Sequence, residues 1–409
     1  MHRGVAVVII VLASFSRLRA AEDPHAGHEQ MSHEHEETTG DRWTTMVHGY
    51  AFLVANYQDG PSGDRDFASV NHLMVTATHP LWGGNVSLLG TFSMEPLTVP
   101  PEGSSLLFQR GETYHGVLLV DRQHPHDGFL QLAAAWDRRL SRVVTFRAYV
   151  APVGEPPVGP TAFPHRASSA AIPTAPLSHH NIDSTHVSTD VVSTAFGFGP
   201  VTVEAGVFHG REPGENRFDL DGGRIDSYAG RISVKPVAGL SLQISAARRS
   251  HPESTEAGNQ TRQTASVEYE HPLPGGAVGA TLAVGRNLLP DGLKERGGLL
   301  EALWTFREHH TVTGRLESVD RDVYELINKT ARPETVAPQS TRIDALTLGY
   351  LHALPRLATL DLAAGISATG YRFEALLDST YGRRPFSGQL FLRITLAHHG
   401  APGMHHHPS

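Results

Sequence analysis

The segment TAPLSHHNIDSTHVS, residues 174–188, gathers His179, His180, Asp183 and His186 in a chain that has no cysteine. Imidazoles with a carboxylate nearby suit three kinds of chemistry. They can coordinate a metal ion, which without thiolate means Cu(II), Zn(II) or Ni(II) and hardly Cu(I), which prefers sulfur. They can form a hydrogen-bonded network that holds a loop in place. Or Ser184, beside Asp183 and His186, can belong to a Ser–His–Asp arrangement. That last reading depends on geometry rather than proximity in sequence. No GxSxG elbow accompanies it, so the expectation is a protein that is not an enzyme.

The same residue types recur elsewhere. LVDRQHPHD (119–127) carries His124, His126 and Asp127, with Asp121 and Arg122 just upstream. Pro125 forces His124 into an extended conformation. Residues two apart on an extended segment project to the same side, so His124 and His126 can share one ion. Asp121 and Asp127 are placed to fix the ring tautomers, as carboxylates do for many ligand histidines. AFPHR (162–166) adds His165 and Arg166, and HGREP (209–213) adds His209 and Arg211. As a metal site, the set is His124, His126, Asp127, His165, His179, His180, Asp183 and His186. As a structural network, Asp121, Arg122, Arg166, His209 and Arg211 join it.

Two further histidine groups flank these loops. HAGHEQMSHEHEE (25–37) holds His25, His28, His33 and His35 with Met31 and glutamates. Its low apolar content predicts disorder, and it can either bind a soft or borderline cation or act as a polar spacer. His398, His399 and His405–His407 end the chain, with Met404 among them.

The elements that must position these residues are strands. Residues 1–20 read as a secretory signal, with Arg3 before an apolar run too short to span a bilayer. Residues 21–45 read as a periplasmic leader, 46–397 as one closed sheet and 398–409 as a His-rich tail. Past residue 45 the chain alternates with period two. Leu240, Leu242, Ile244 and Ala246 oppose Ser241, Gln243 and Ser245, and Leu300, Ala302, Trp304 and Phe306 oppose Glu301 and Thr305. This predicts an all-β protein of about 16 strands, centred near residues 52, 74, 89, 132, 147, 190, 205, 231, 244, 267, 281, 303, 315, 348, 363 and 392. Short turns (80–85, 137–142, 197–200, 235–240, 271–276, 308–310, 353–357) alternate with longer loops, the longest being 95–127 and 151–184. An even number of strands with alternating short and long connections is the pattern of an antiparallel up-and-down transmembrane β-barrel of the bacterial outer membrane. A soluble sandwich gives no reason for that alternation.

In such a barrel the apolar face meets lipid and the polar face lines the lumen. Arg147, Arg231, Arg315 and Arg393 nearly balance Glu204, Glu268, Glu301 and Glu317 there. The wall itself then confers little ion selectivity, and cross-strand pairing is the ordinary role of such charges. Loops as long as 95–127 and 151–184 fold inward in large barrels, which would bring the loop histidines together. The net charge of −8 is modest, and no basic block points to nucleic acid.

The blocks LVDRQHPHD, TAPLSHHNIDSTHVS and VFHGREP resemble those of a bacterial outer-membrane β-barrel family that carries the same ordered set. Members of that family are associated with copper and other heavy-metal resistance. The His-bearing leader is similar, more loosely, to that of copper-resistance B outer-membrane proteins, although those leaders are Met-rich and this one has a single Met. The resemblance implies an outer-membrane barrel in lipid that handles Cu(II) or Zn(II), with periplasmic metal-resistance proteins as partners. It brings no ligand set. The alternative expectation is a general or solute-specific porin whose His, Arg and Asp loops are structural.

Overall fold

The computed structural model describes residues 42–255 and 258–396. The signal segment, the leader histidines His25, His28, His33 and His35, and the tail 398–409 lie outside the described residues. Sixteen strands close into one antiparallel barrel. They are β1 (Thr44–Gln58), β2 (Arg65–Leu81), β3 (Gly84–Phe92), β6 (Phe129–Arg139), β7 (Val144–Gly154), β8 (Ser188–Phe198), β9 (Val201–His209), β10 (Ser227–Val237), β11 (Leu240–Ser250), β12 (Asn259–Leu273), β13 (Gly276–Leu288), β14 (Lys294–Phe306), β15 (His310–Asp322), β16 (Ser340–Leu357), β17 (Leu360–Arg372) and β18 (Phe386–Leu396). β1 closes on β18 with Tyr50 opposite Thr395 and Gln58 opposite Ser387. Each expected strand centre falls within one of these strands. A separate hairpin, β4 (Ser104–Tyr114) and β5 (Val117–Gln123), pairs outside the barrel wall, within the connection from β3 to β6.

The period-two alternation does the sorting. Ile244, Leu300, Trp304, Leu348 and Leu390 lie exposed on the outer face, while Gln243, Ser245, Arg249 and Glu301 are buried on the inner one. Water would penalise that outer belt and lipid rewards it, so the barrel belongs in the bacterial outer membrane. No helix among the described residues is long and apolar enough to cross a membrane; the strands do the crossing. Several strands exceed the 9–11 residues of a bilayer crossing, β16 reaching 18, because ladder pairing continues beyond the lipid. Inner-face charges pair across neighbouring strands: Arg231 with Glu204 at 2.7 Å, Arg315 with Glu301 at 2.6 Å and Arg147 with Asp137 at 3.3 Å.

Two connections, 93–128 and 155–187, run into the lumen and pack against its wall. The first carries α1 (Glu95–Thr98) and the β4–β5 hairpin; the second carries single turns at Phe163–His165 and Ala167–Ser169, then α2 (His179–Ile182) and a turn at Ser184–His186. The wall is shaped to receive them. A Cβ on Gly285 would sit 2.1 Å from the Asn181 main-chain oxygen, and one on Gly297 would sit 2.8 Å from Asn181 Cβ. Both positions must lack a side chain for α2 to lie against β13 and β14. Fully buried wall arginines then tie the loops down. Arg262 donates to His180 O at 2.6 Å, Arg315 to Thr174 O at 3.0 Å, and Arg321 to Phe108 O at 2.9 Å and to Leu177 O.

At the loop end the lumen also holds an apolar core, set against the polar face of the wall. Leu106, Leu107 and Phe108 of β4 pack with Leu177, with Leu326 of α3 (Val323–Asn328) and with Tyr381 of α4 (Asp378–Tyr381). The Phe108 and Tyr381 rings stack with centroids 4.2 Å apart. The infolded loops are therefore cored like a small soluble domain set inside the barrel.

Candidate metal centre

The infolded loops bring five imidazoles into a closed circuit. His124 and His126 follow β5, on the extended stretch that Pro125 enforces. His179 and His180 lie on α2, and His186 ends the turn after it. Ring centroids are separated by 6.1 Å from His124 to His126, 5.5 Å to His186, 5.1 Å to His179, 5.2 Å to His180 and 5.9 Å back to His124. Phe163 caps the group, 5.1 Å from His179.

One nitrogen of most of these rings is already committed. His126 Nδ1 lies 2.9 Å from Glu95 Oε2 and His179 Nδ1 lies 2.7 Å from Asp183 Oδ1. His186 Nδ1 lies 3.0 Å from Asp183 O, and His124 Nδ1 lies 3.1 Å from Pro125 O and 3.2 Å from Glu112 Oε1. An acceptor at Nδ1 favours the tautomer that carries its proton there and leaves the Nε2 lone pair free, the usual outer support of a metal-binding imidazole. His126 Nε2 and His186 Nε2 are buried without a hydrogen-bond partner, and so are both ring nitrogens of His180. The His180 main chain is pinned by Arg262 and by Asn287 at 2.9 Å, while its ring packs on Gly111, where a Cβ would stand 2.2 Å from Cε1.

All five rings line one cavity of about 20 Å³, together with Glu112, Asp127, Glu212 and Arg217. That volume admits a single water-sized occupant. Burial pushes His124 and His180 well below the ordinary imidazole range, and neighbouring positive groups push them further. His186 falls to about 3 for the same reasons, with His179 and His126 as its neighbours. These three rings are neutral at pH 7, the form that binds metal. His126 goes the other way, because the Glu95 carboxylate outweighs the effect of burial. Burial also opposes charge on Asp183, but Arg166 at 2.7 Å and His179 hold its carboxyl well below the usual range. Burial pushes Glu112 up to about 8, against the pull of Arg217, and Asp127 up to about 6. On the outer side, His180, Glu212 and Glu253 bring three ligand atoms within 4.8 Å of one another.

Several expected site residues lie elsewhere. Asp121 does not flank the His124–His126 pair. Its φ of 62° breaks the extended alternation, so its carboxylate accepts from Phe108 N at 2.7 Å and pairs with Lys329. Asp127 lines the cavity but is held by Arg217 at 3.2 Å. The carboxylates at the His124 and His126 rings are Glu112 and Glu95. His165 is absent from the five-ring circuit, because its turn carries it past Phe163 to the wall, where its ring lies 4.7 Å from that of His72. Arg166 does tie the loop to the wall, through Asp183 and through Glu301 at 2.9 Å. Arg122 instead reaches Asp64 at 2.8 Å, His209 Nδ1 meets Arg224 O at 2.8 Å, and Arg211 lines a cavity among the loops. Ser184 Oγ accepts from Arg262 at 2.8 Å, and Asp183 orients His179 rather than pairing with a serine–histidine couple. Sequence reasoning missed Glu95, Glu112, Arg217, Glu212, Glu253 and His72, none of which has a local signal.

No family model and no curated protein matches the chain. Solved structures do. An anion-selective porin from Comamonas acidovorans aligns over 87% of this chain and 100% of its own, at 11% identity and a TM-score of 0.53. The fold is a porin fold. Salmonella typhi OmpF in complex with daunomycin (6% identity, 86% of this chain and 97% of that one, TM-score 0.49) and the outer-membrane OmpT of Vibrio cholerae (10%, 86% and 98%, 0.47) align more loosely. At such identities the likeness is one of architecture. Within this barrel lie two infolded loops and a buried imidazole circuit.

Proposed function

We propose that this outer-membrane barrel binds a borderline divalent metal ion, Cu(II) or Zn(II), at the five-imidazole centre and handles metal ions at the outer membrane, in transport or resistance. The supporting observation is the circuit of His124, His126, His179, His180 and His186 around one cavity of about 20 Å³, with Nε2 of His126 and of His186 buried without a hydrogen-bond partner. Burying polar nitrogens without partners costs free energy, and a metal ion would offset that cost. Imidazole donors without thiolate favour Cu(II) and Zn(II). Asp183 and Glu95 would orient the ligand rings from outside the coordination shell. The histidines of the leader and tail would gather ions on the periplasmic side, and the resemblance to copper-resistance barrels agrees with that role. Periplasmic metal-resistance proteins are the corresponding partners.

The second reading is a general or solute-specific porin with structural loops. It is favoured by the ion pairs of Arg166 with Asp183 and Glu301, which hold the loop without any metal. Metal content separates the two. The full chain with leader and tail histidines replaced by glutamine is dialysed against Cu(II), Zn(II) and Ni(II), and bound metal is measured by mass spectrometry. Retention of about one ion per chain, lost in the His124→Ala, His126→Ala, His180→Ala variant, supports the metal centre. No retention leaves the porin reading.

A further inference from the structure

We propose that His48, His72 and His165 form a second, inner metal station, through which an ion leaves the five-imidazole centre toward the periplasmic end of the lumen. The proposal rests on the metal reading above. The three residues come from β1, β2 and the second infolded loop, yet their rings adjoin. His165 lies 4.7 Å from His72 and His48 lies 6.1 Å from it, with the Tyr50 ring 4.5 Å from His72 on the same inner face.

Cavities connect this group in both directions. A second cavity of about 20 Å³ is bounded on one side by His126 and His186, which also line the central cavity, and on the other by His72 and His165. His165 continues into two larger cavities of about 640 and 840 Å³. These are bordered by the periplasmic turns around Gly239 and Pro355, and the larger also takes in His48, His309 and His352. At the other end, Glu253 borders a cavity of about 850 Å³ among the loops, and with Glu212 it meets His180. Imidazoles thus succeed one another from the loop end to the turn end, passing two necks of single-water size.

The spacing carries a chemical consequence. A hydrated divalent cation is larger than either neck, so an ion must exchange water for ligands to pass. His126 and His186 on one side and His72 and His165 on the other offer successive nitrogen donors. Glu95 and Glu155 also line this neck and offer carboxyl oxygens. Ions that imidazole binds poorly, such as Mg(II) and Ca(II), which prefer oxygen, would be refused.

The test uses the full chain, again with leader and tail histidines replaced by glutamine, in liposomes enclosing a zinc-sensitive dye. Metal content is measured in parallel on the same protein. The expected result is that His72→Phe/His165→Phe keeps the central ion, loses any further bound Zn(II) and slows Zn(II) entry by about tenfold or more, while Mg(II) is excluded throughout. If that double variant fails to assemble, as judged by heat-modifiable migration on gels, His48→Gln supplies the same readout from the cavity side. Unchanged entry with the central ion retained overturns the inner station and leaves the central site standing. Loss of both ions from a folded variant overturns it too, since the stations would then be one site. No Zn(II) entry through the parent barrel overturns the path, and no bound ion in the parent overturns the metal reading itself.

Discussion

Arg166 is the residue whose loss should most weaken the docking of the second loop in the lumen. It is 2% exposed and sits between loop and wall. Its Nε donates to Glu301 Oε2 at 2.9 Å, and its Nη1 donates to Asp183 Oδ2 at 2.7 Å and Thr161 O at 3.0 Å. Arg166→Met keeps most of the bulk and removes the charge. Glu301 then still has Arg315 at 2.6 Å, but Asp183 keeps only Phe163 N and His179. Breaking a buried pair from one side costs about 3–5 kcal/mol, which is roughly a 10²- to several-10³-fold shift in the equilibrium between docked and released loop. The barrel ladder does not depend on Arg166, so the variant should still fold. In planar bilayers its single-channel conductance should rise well above that of the parent, and its bound metal should fall. Arg166→Lys, which keeps one charge but not the planar fork, should fall between. Parent-like conductance and metal content in Arg166→Met would refute the claim that this ion pair holds the loop in the lumen.

Other expectations follow from the same geometry. Gly111→Ala places a methyl 2.2 Å from His180 Cε1, at a backbone φ of +139° that disfavours side chains; it should displace the ring and weaken metal retention in equilibrium dialysis. Glu95→Gln removes the carboxylate at His126 Nδ1 and should lower metal affinity about 10- to 100-fold without changing conductance, since no wall contact of the second loop is lost. In metal-free protein, acid should loosen the docked loops. Buried His186, at about 3, and His124 and His180, also depressed, take up protons only once released. Each therefore weakens docking as pH falls below about 6.5, and the three together outweigh the opposite contributions of Glu112 and Asp127, whose carboxyls, raised to about 8 and about 6, take up protons more readily while docked. Asp183 adds nothing in that window, because its depressed carboxyl stays ionised and its contribution fades only below the ordinary carboxylate range. Conductance recorded from pH 7 to 5 should rise as pH falls; a flat trace would contradict this.

The barrel was legible because its signal is local. Alternation such as that of Leu300, Ala302 and Trp304 against Glu301 reports which face meets lipid, and the connection lengths report the topology. The β4–β5 hairpin was not legible, because Leu106, Leu107 and Phe108 form a continuous apolar run buried inside the lumen rather than an alternating strand. In the site, five of the six loop histidines expected to converge do so, since length and composition alone predict infolding. Their supports were hidden because they come from far away in the chain: Glu95 reaches His126 and Arg217 reaches Asp127, across 31 and 90 positions. His72 lies within an ordinary strand, and only the turn after Phe163 brings His165 to it.

Whether the imidazole circuit holds a metal is best settled by anomalous X-ray diffraction from crystals of the full-length barrel equilibrated with Cu(II) or Zn(II) and recorded at the metal edge. The account predicts an anomalous peak in the cavity bounded by His124, His126, His179, His180 and His186. Peaks confined to the protein surface, with none inside the lumen, would contradict it.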